Sequence, residues 1–266
     1  MIKIPQKKSI LEIKKFFLKK GLVNLVKATS KDNGKPRNDI RTNKLIAPDL
    51  RDLYMLFQYV SLNKRTTILE FGSGWSSLIF YFALRELKFK YFETVKKLRR
   101  NNPFELFLIE NQKKYLNISR KRIKSYQNKE FSHDIKIHYG YSDVKMTEFE
   151  KRICTEYKSL PTCNPDFIYL DGPDQFKVKN KINGITTAHR DMMPMSCDLL
   201  KIEYFLTPGT IIVVDGRGAN SSFLKDSFKR KWIYKKDDVN DQHIFYLDEK
   251  PLGIYNKRQL EFYKKN

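Results

Sequence analysis

The chain has 266 residues, 41% of them hydrophobic and 14% aromatic, so it can bury a substantial core and is no disordered tail. Its net charge of +22 suits a polyanionic partner or lysine-rich solvated faces. Lys outnumbers Arg 38 to 14 and the charge is spread along the whole chain, so it reads as solvated faces, with nucleic acid kept as an alternative partner.

The three cysteines, Cys154, Cys163 and Cys197, are odd in number and fit no zinc spacing. They read as plain thiols of a reducing compartment, and a cytoplasmic location is expected. No compact apolar run with a small-residue cleavage site opens the chain, and no stretch approaches the length of a membrane span.

Residues 1–47 read as a helical appendage and loop. Ile10, Ile13 and Phe17 share one helical face, with Lys14, Lys15, Lys19 and Lys20 largely off it. The polar stretch 29–43, with Gly34 and Pro36, reads as a loop. Residues 48–266 form the main domain. It opens with a helix at Pro48-Asp49, carried by Leu50, Leu53, Phe57 and Val60 and ending near Asn63.

From Thr66 the pattern alternates. Thr67-Ile68-Leu69 is a short buried strand ending in Glu70 and a glycine turn, followed by a helix over 75–87. Residues 106–109 make a second strand, ending in Glu110, and 112–126 a helix with a basic outer face. Strands follow at 135–139, at 167–170 ending in Asp171, and at 211–215 ending in Asp215, with helices at 196–206 and 221–230. Two late strands, 232–235 and 243–247, are close enough to pair as a hairpin. Continuous apolar strands alternating with helices predict an α/β fold. It is a doubly wound, mostly parallel seven-stranded sheet with an antiparallel edge hairpin.

Four strands therefore end in an acid: Glu70, Glu110, Asp171 and Asp215. In open α/β sheets ligands bind outside the carboxyl ends of the strands, so these carboxylates should gather on one rim. Between the first two, Gly72-Ser73-Gly74 lets backbone approach a ligand closely. A nicotinamide fingerprint would want Gly or Ala where Ser77 stands, and the ATP-binding Gly-x-x-x-x-Gly-Lys-Ser/Thr loop is absent.

The run Ile68-Leu69-Glu70-Phe71-Gly72-Ser73-Gly74 resembles the acidic-x-Gly-x-Gly motif of the class I S-adenosylmethionine-dependent methyltransferases, a Rossmann-like family. The resemblance spans roughly residues 63–247. It implies that Gly72, Ser73 and Gly74 contact the methionine part of the cofactor and that Glu70 helps hold its amino group. It also implies that Glu110 binds the ribose hydroxyls and that Ser142 and Asp143 lie near the adenine. Glu70 and Glu110 are 40 residues apart where a plain βαβ unit has about 20, and 88–103 reads as an insertion.

On the acceptor side, Asp171 and Asp215 are expected to face one another from neighbouring strands. They could take the proton of an acceptor hydroxyl directly or through Mg²⁺. The arrangement looks like that of catechol-type and sugar-type O-methyltransferases, although Gly216-Arg217 follows Asp215 where metal users often have a second acid or Asn. In the long loop 177–194, His189 is a candidate base, while Arg190 and Arg217 are candidates to clamp an anionic group. The Asp/Asn-Pro-Pro-aromatic motif of nucleobase methylases is absent. The expectation is methyl transfer to an oxygen of a small-molecule or glycan acceptor. The alternatives are an RNA-directed methyltransferase and a non-catalytic binding protein on the same fold.

Overall fold

The computed structural model describes residues 2–29, 47–127, 134–189, 191–193 and 195–264. Gly34, Pro36 and Arg190 of the expectations above lie outside these.

Helix α1 (Ile10–Lys19) starts at a capping box, in which the Glu12 backbone N–H donates to Ser9 Oγ and the Ser9 N–H donates back to Glu12. Its apolar stripe buries Ile13 and Phe17, and α2 (Val23–Ala28) adds Leu25. Both lie in the same apolar cluster as α3 (Leu50–Leu62), so the first helix packs on the protein's own core. Asp49 caps α3 by accepting from the Arg51 N–H at 2.9 Å, and Asn63 ends it.

The main sheet holds β1 (Thr67–Phe71), β2 (Glu105–Glu110), β3 (Lys136–Tyr141), β6 (Phe167–Leu170), β7 (Ile211–Asp215), β8 (Trp232–Asp237) and β9 (Gln242–Leu247). Their order is β3-β2-β1-β6-β7-β9-β8. The first five run parallel, β9 pairs antiparallel to β7, and β8 pairs antiparallel to β9. This is the expected seven-stranded, mostly parallel, Rossmann-like sheet with its edge hairpin.

One sheet face lies in the same apolar cluster as α1 to α3, α4 (Trp75–Lys96), α5 (Lys113–Lys124) and α8 (Ile254–Lys264). The other is packed by α6 (Asp198–Ile202), α7 (Gly218–Ser227) and an antiparallel pair, β4 (Val144–Phe149) with β5 (Arg152–Tyr157).

Several elements differ from expectation. The helix after the glycine turn does not stop near Leu87. It runs on to Lys96, so most of the supposed insertion is simply more of α4. Residues 144–157, which carried no strand expectation, form the β4–β5 hairpin on a Glu150-Lys151 turn with both residues at positive φ. Helix α8 was also missed, and α7 starts and ends three residues before the expected span. Among the described residues, no helix is long and apolar enough to cross a membrane.

Candidate active site

Strand register sets the floor of the site. Glu70 is paired with Leu108 and Tyr169, and Tyr169 with Val213. Paired residues share a face and side chains repeat every second residue, so Glu110, Asp171 and Asp215 stand one step further along the same face, at the carboxyl rim. Glu70 is one rung deeper. Tyr169, on the rung of Glu70, records this gathering. Burial first, then the charges of Asp215, Asp171, Asp52 and Glu70, push its hydroxyl well above the usual range.

Glu70 is almost fully buried, at 1% exposure. Ser76 Oγ donates to its Oε1 at 2.5 Å, while its Oε2 is buried without a hydrogen-bond partner. Burial raises its pKa to about 8, against the lowering effect of Ser76 and Ser77. A buried carboxylate oxygen left unpaired is costly unless a donor comes to it.

Above it the chain turns sharply. Gly72 has φ of +95°, in the left-handed region where a side chain is strained, and its N–H donates to the Ile109 carbonyl at 2.8 Å. Ser73 Oγ donates to Glu110 Oε2 at 2.9 Å, lacing the turn to the end of β2. Gly74 caps α4 in extended backbone, and a Cβ there would meet nothing closer than Ser76 Oγ at 3.9 Å. The protein's own packing therefore gives no reason for glycine at 74. A ligand seated over the first turn of α4 would give one.

Glu110 is held by Ser73 and by the Gln112 N–H, which donates at 2.8 Å, and burial raises its pKa to about 7. Beside it lies a cleft of about 380 Å³, lined by Asn111, Gln112, Tyr141 and Phe176 with Lys113 and Lys179 among the cations at its edge. Ser142 is buried, but its hydroxyl accepts from the Ser159 N–H at 3.0 Å and so belongs to the loop behind β5. Asp143 is part-exposed, accepts from Tyr141 Oη at 2.8 Å and pairs with Lys179 at 3.5 Å. The Tyr141 hydrogen bond is the main reason its pKa is lowered.

On the acceptor side, Leu170 is paired with Val214, so Asp171 and Asp215 come next to each other where β6 and β7 end. Arg217 straps the loop after β6. Its Nη2 donates to the Asp171 carbonyl at 2.5 Å and its Nη1 to the Pro173 carbonyl at 3.2 Å, with Nε 3.9 Å from the Asp171 carboxylate. That guanidinium is committed to backbone rather than held out as a clamp. His189 is largely exposed and stands 3.8 Å from the carboxylate of Asp191. Among the described residues no group of three or more His, Cys, Asp or Glu side chains is placed to hold a metal ion. Mg²⁺ is commonly held through one or two carboxylates with waters completing its shell, and Asp171 and Asp215 are two such carboxylates.

One residue at this site was not anticipated. Tyr157, at the end of β5, is 4% exposed, and its hydroxyl is buried without a partner. A Cβ on Gly172 would lie 2.7 Å from that hydroxyl and 2.6 Å from the Gly72 nitrogen. Tyr157 thus reaches the seam between the loops after β1 and β6. The sequence gives no hint of this, because the hairpin that carries it was not foreseen.

No family model and no curated protein sequence matches the chain. Among solved structures, it is similar to an O-methyltransferase from Bacillus cereus in complex with SAH. The identity is 12% over 91% of this chain and 92% of that one, with a TM-score of 0.40. It is also similar to the O-methyltransferase TomG from Streptomyces achromogenes, involved in tomaymycin synthesis, in complex with SAM. There the identity is 14% over 92% of each chain, with a TM-score of 0.37. Both likenesses are remote, and the fold and site stand on the register and contacts described above.

Proposed function

We propose that the chain is an S-adenosylmethionine-dependent methyltransferase acting on an oxygen of a small-molecule or glycan acceptor. The observation that carries this is the unpartnered, buried Oε2 of Glu70, set beneath a glycine turn at the head of a helix. A carboxylate so placed fits an ammonium group, and the open space at Gly74 fits the methionine part of the cofactor.

In this reading Glu110 accepts from the ribose diol. The neighbouring cleft takes the adenine, with Tyr141 in its lining and Ser142 and Asp143 next in the chain. When bound, the cofactor supplies a methyl group on a sulfonium, which needs only an aligned nucleophile and removal of one proton. Asp171 and Asp215 orient the acceptor hydroxyl, and one of their carboxylates takes its proton. Arg217 holds the Asp171 loop in place. His189, exposed as it is, would serve as a base only once an acceptor covers it. Asp171 and Asp215 are the carboxylates that would hold Mg²⁺ where the reaction uses it.

The test is calorimetric titration with S-adenosylhomocysteine of the wild type, Glu70→Gln and Glu110→Ala. Micromolar binding weakened at least tenfold by each change supports the reading, and no binding by the wild type overturns it. Release of S-adenosylhomocysteine from S-adenosylmethionine is then followed with catechols, sugars and RNA in turn. Binding without turnover on any of them supports a non-catalytic role, and turnover only on RNA supports the RNA-directed alternative.

A further inference from the structure

A second recess lies on the opposite rim, where the strands begin. Its walls come from the loop between α4 and β2 (Arg99, Arg100), the loop before β6 (Thr162, Asn164), the end of the segment after α6 (Phe205), and α8 (Tyr255). Its volume is about 510 Å³, and no Asp or Glu lines it. Arg100 forms a fixed base. Its Nη2 donates to Thr67 Oγ1 at 2.7 Å and to the Asn164 carbonyl at 2.9 Å, and it pairs with the buried Asp166 at 3.6 Å.

The exposed surface here is unusual. Phe205 is 82% exposed, the adjoining Tyr204 72% and Tyr255 49%. Burying such rings gains free energy, so a cluster of aromatics left in water marks a binding surface. The Arg99 guanidinium sits 4.8 Å from the centre of the Tyr255 ring, within cation–π range. Asn101, Thr162 and Asn164 are exposed around it and supply uncharged donors and acceptors. An apolar protein partner would use the rings and leave the cationic, carboxylate-free lining unanswered.

We infer that this recess binds single-stranded RNA. A base stacks on Phe205 or Tyr255, because every base offers a π-face to an aromatic ring. The backbone phosphate meets Arg99, and the chain's net charge of +22 draws the strand in. The amides and Thr162 suit the ribose 2′-hydroxyl, the group that separates RNA from DNA. A duplex keeps its bases stacked inside and cannot use the rings. The recess lies at the other end of the strands from Glu70, so this binding does not depend on methyl transfer.

The test is fluorescence anisotropy with a short labelled single-stranded RNA of mixed sequence, without cofactor, across a salt series. Phe205→Ala and Tyr255→Ala are each expected to weaken binding about tenfold. Arg99→Ala should weaken it and lower the salt slope by about one. A Lys15→Ala/Lys19→Ala double variant, altering exposed lysines of α1, should change the affinity less than twofold. Photocrosslinking of the wild type should map to the peptides holding Phe205 and Tyr255, which guards against misfolded variants. Wild-type affinity in both aromatic variants, an equal loss in the α1 variant, crosslinks confined elsewhere, or equally tight DNA binding would each overturn the inference.

Discussion

A Cβ on Gly172 would stand 2.6 Å from the backbone nitrogen of Gly72, so the loops that follow β1 and β6 touch through bare main chain. The same added carbon would lie 2.9 Å from the Phe71 carbonyl carbon. No flexible side chain can yield at these contacts. Gly172→Ala should therefore cost about 2–3 kcal/mol as an overpacking change, and push the glycine turn off Glu70. Calorimetric melting and titration with S-adenosylhomocysteine check both parts. Unchanged melting and unchanged affinity together would mean that the loops are not in contact.

Glu70 and Glu110 predict two opposite responses to pH. Burial raises them from 4.5 to about 8 and about 7, so the free folded protein holds protons that the unfolded chain has released. The stability they favour is fully present below 4.5 and is lost as pH rises through about 7 and then about 8. Melting temperature should fall across that window, and Glu70→Gln should flatten the fall. Cofactor binding needs the ionised carboxylates, so affinity for S-adenosylhomocysteine should rise over the same range. An affinity that falls with rising pH would contradict the roles given to both residues.

Tyr157 separates architecture from ligand binding. Its hydroxyl is buried and unpartnered, so Tyr157→Phe should leave the melting temperature unchanged or slightly raised. If a ligand supplies the missing partner, the same change weakens binding or turnover about fivefold, the worth of one ordinary hydrogen bond. Identical titrations for wild type and variant would assign the residue to packing alone.

At the other end of the strands, Asp166 is a single carboxylate serving several distant parts. It accepts from the N–H groups of Thr66 and Thr67 and from Tyr263 Oη at 2.7 Å, and Arg100 stands 3.6 Å away. Asp166→Ala strands a buried guanidinium and should cost about 3–5 kcal/mol in urea unfolding. Adding Arg100→Met should recover part of that loss. A double variant no more stable than the single one would show that the hydrogen bonds, not the charge, hold this corner.

Most of the sheet was legible because β1, β2, β6 and β7 are almost wholly buried and read as short apolar runs ending in an acid, as in Ile211–Asp215. The far half of α4 was not, because it outruns its apolar partners. Phe89 is 74% exposed and Phe92 40%, so no stripe marks the helix there. Helix α8 hides for a related reason. Its inner face carries buried Asn256 and Gln259 beside Phe262 and Tyr263, which blurs the hydrophobic period. The β4–β5 turn sets Glu150 and Lys151 at positive φ, residue types that do not announce such a turn. Within the site, the acids and the glycine turn follow from local pattern. The Arg217 strap and the reach of Tyr157 join residues far apart in the chain, so only the folded register brings them together.

The order of the last strands also bears on how the chain is made. When synthesis has passed residue 241, six strands of the main sheet exist, but β8 has no neighbour, because its partner β9 is still to come. Without β9, β7 presents an open hydrogen-bonding edge on which another chain could add a strand. Residues 242–264 complete the fold, with β9 slotting between β7 and β8 and α8 bringing Tyr263 to Asp166. The sheet is thus sealed by a late strand, and a chain cut short before β9 would be primed to aggregate rather than merely shortened.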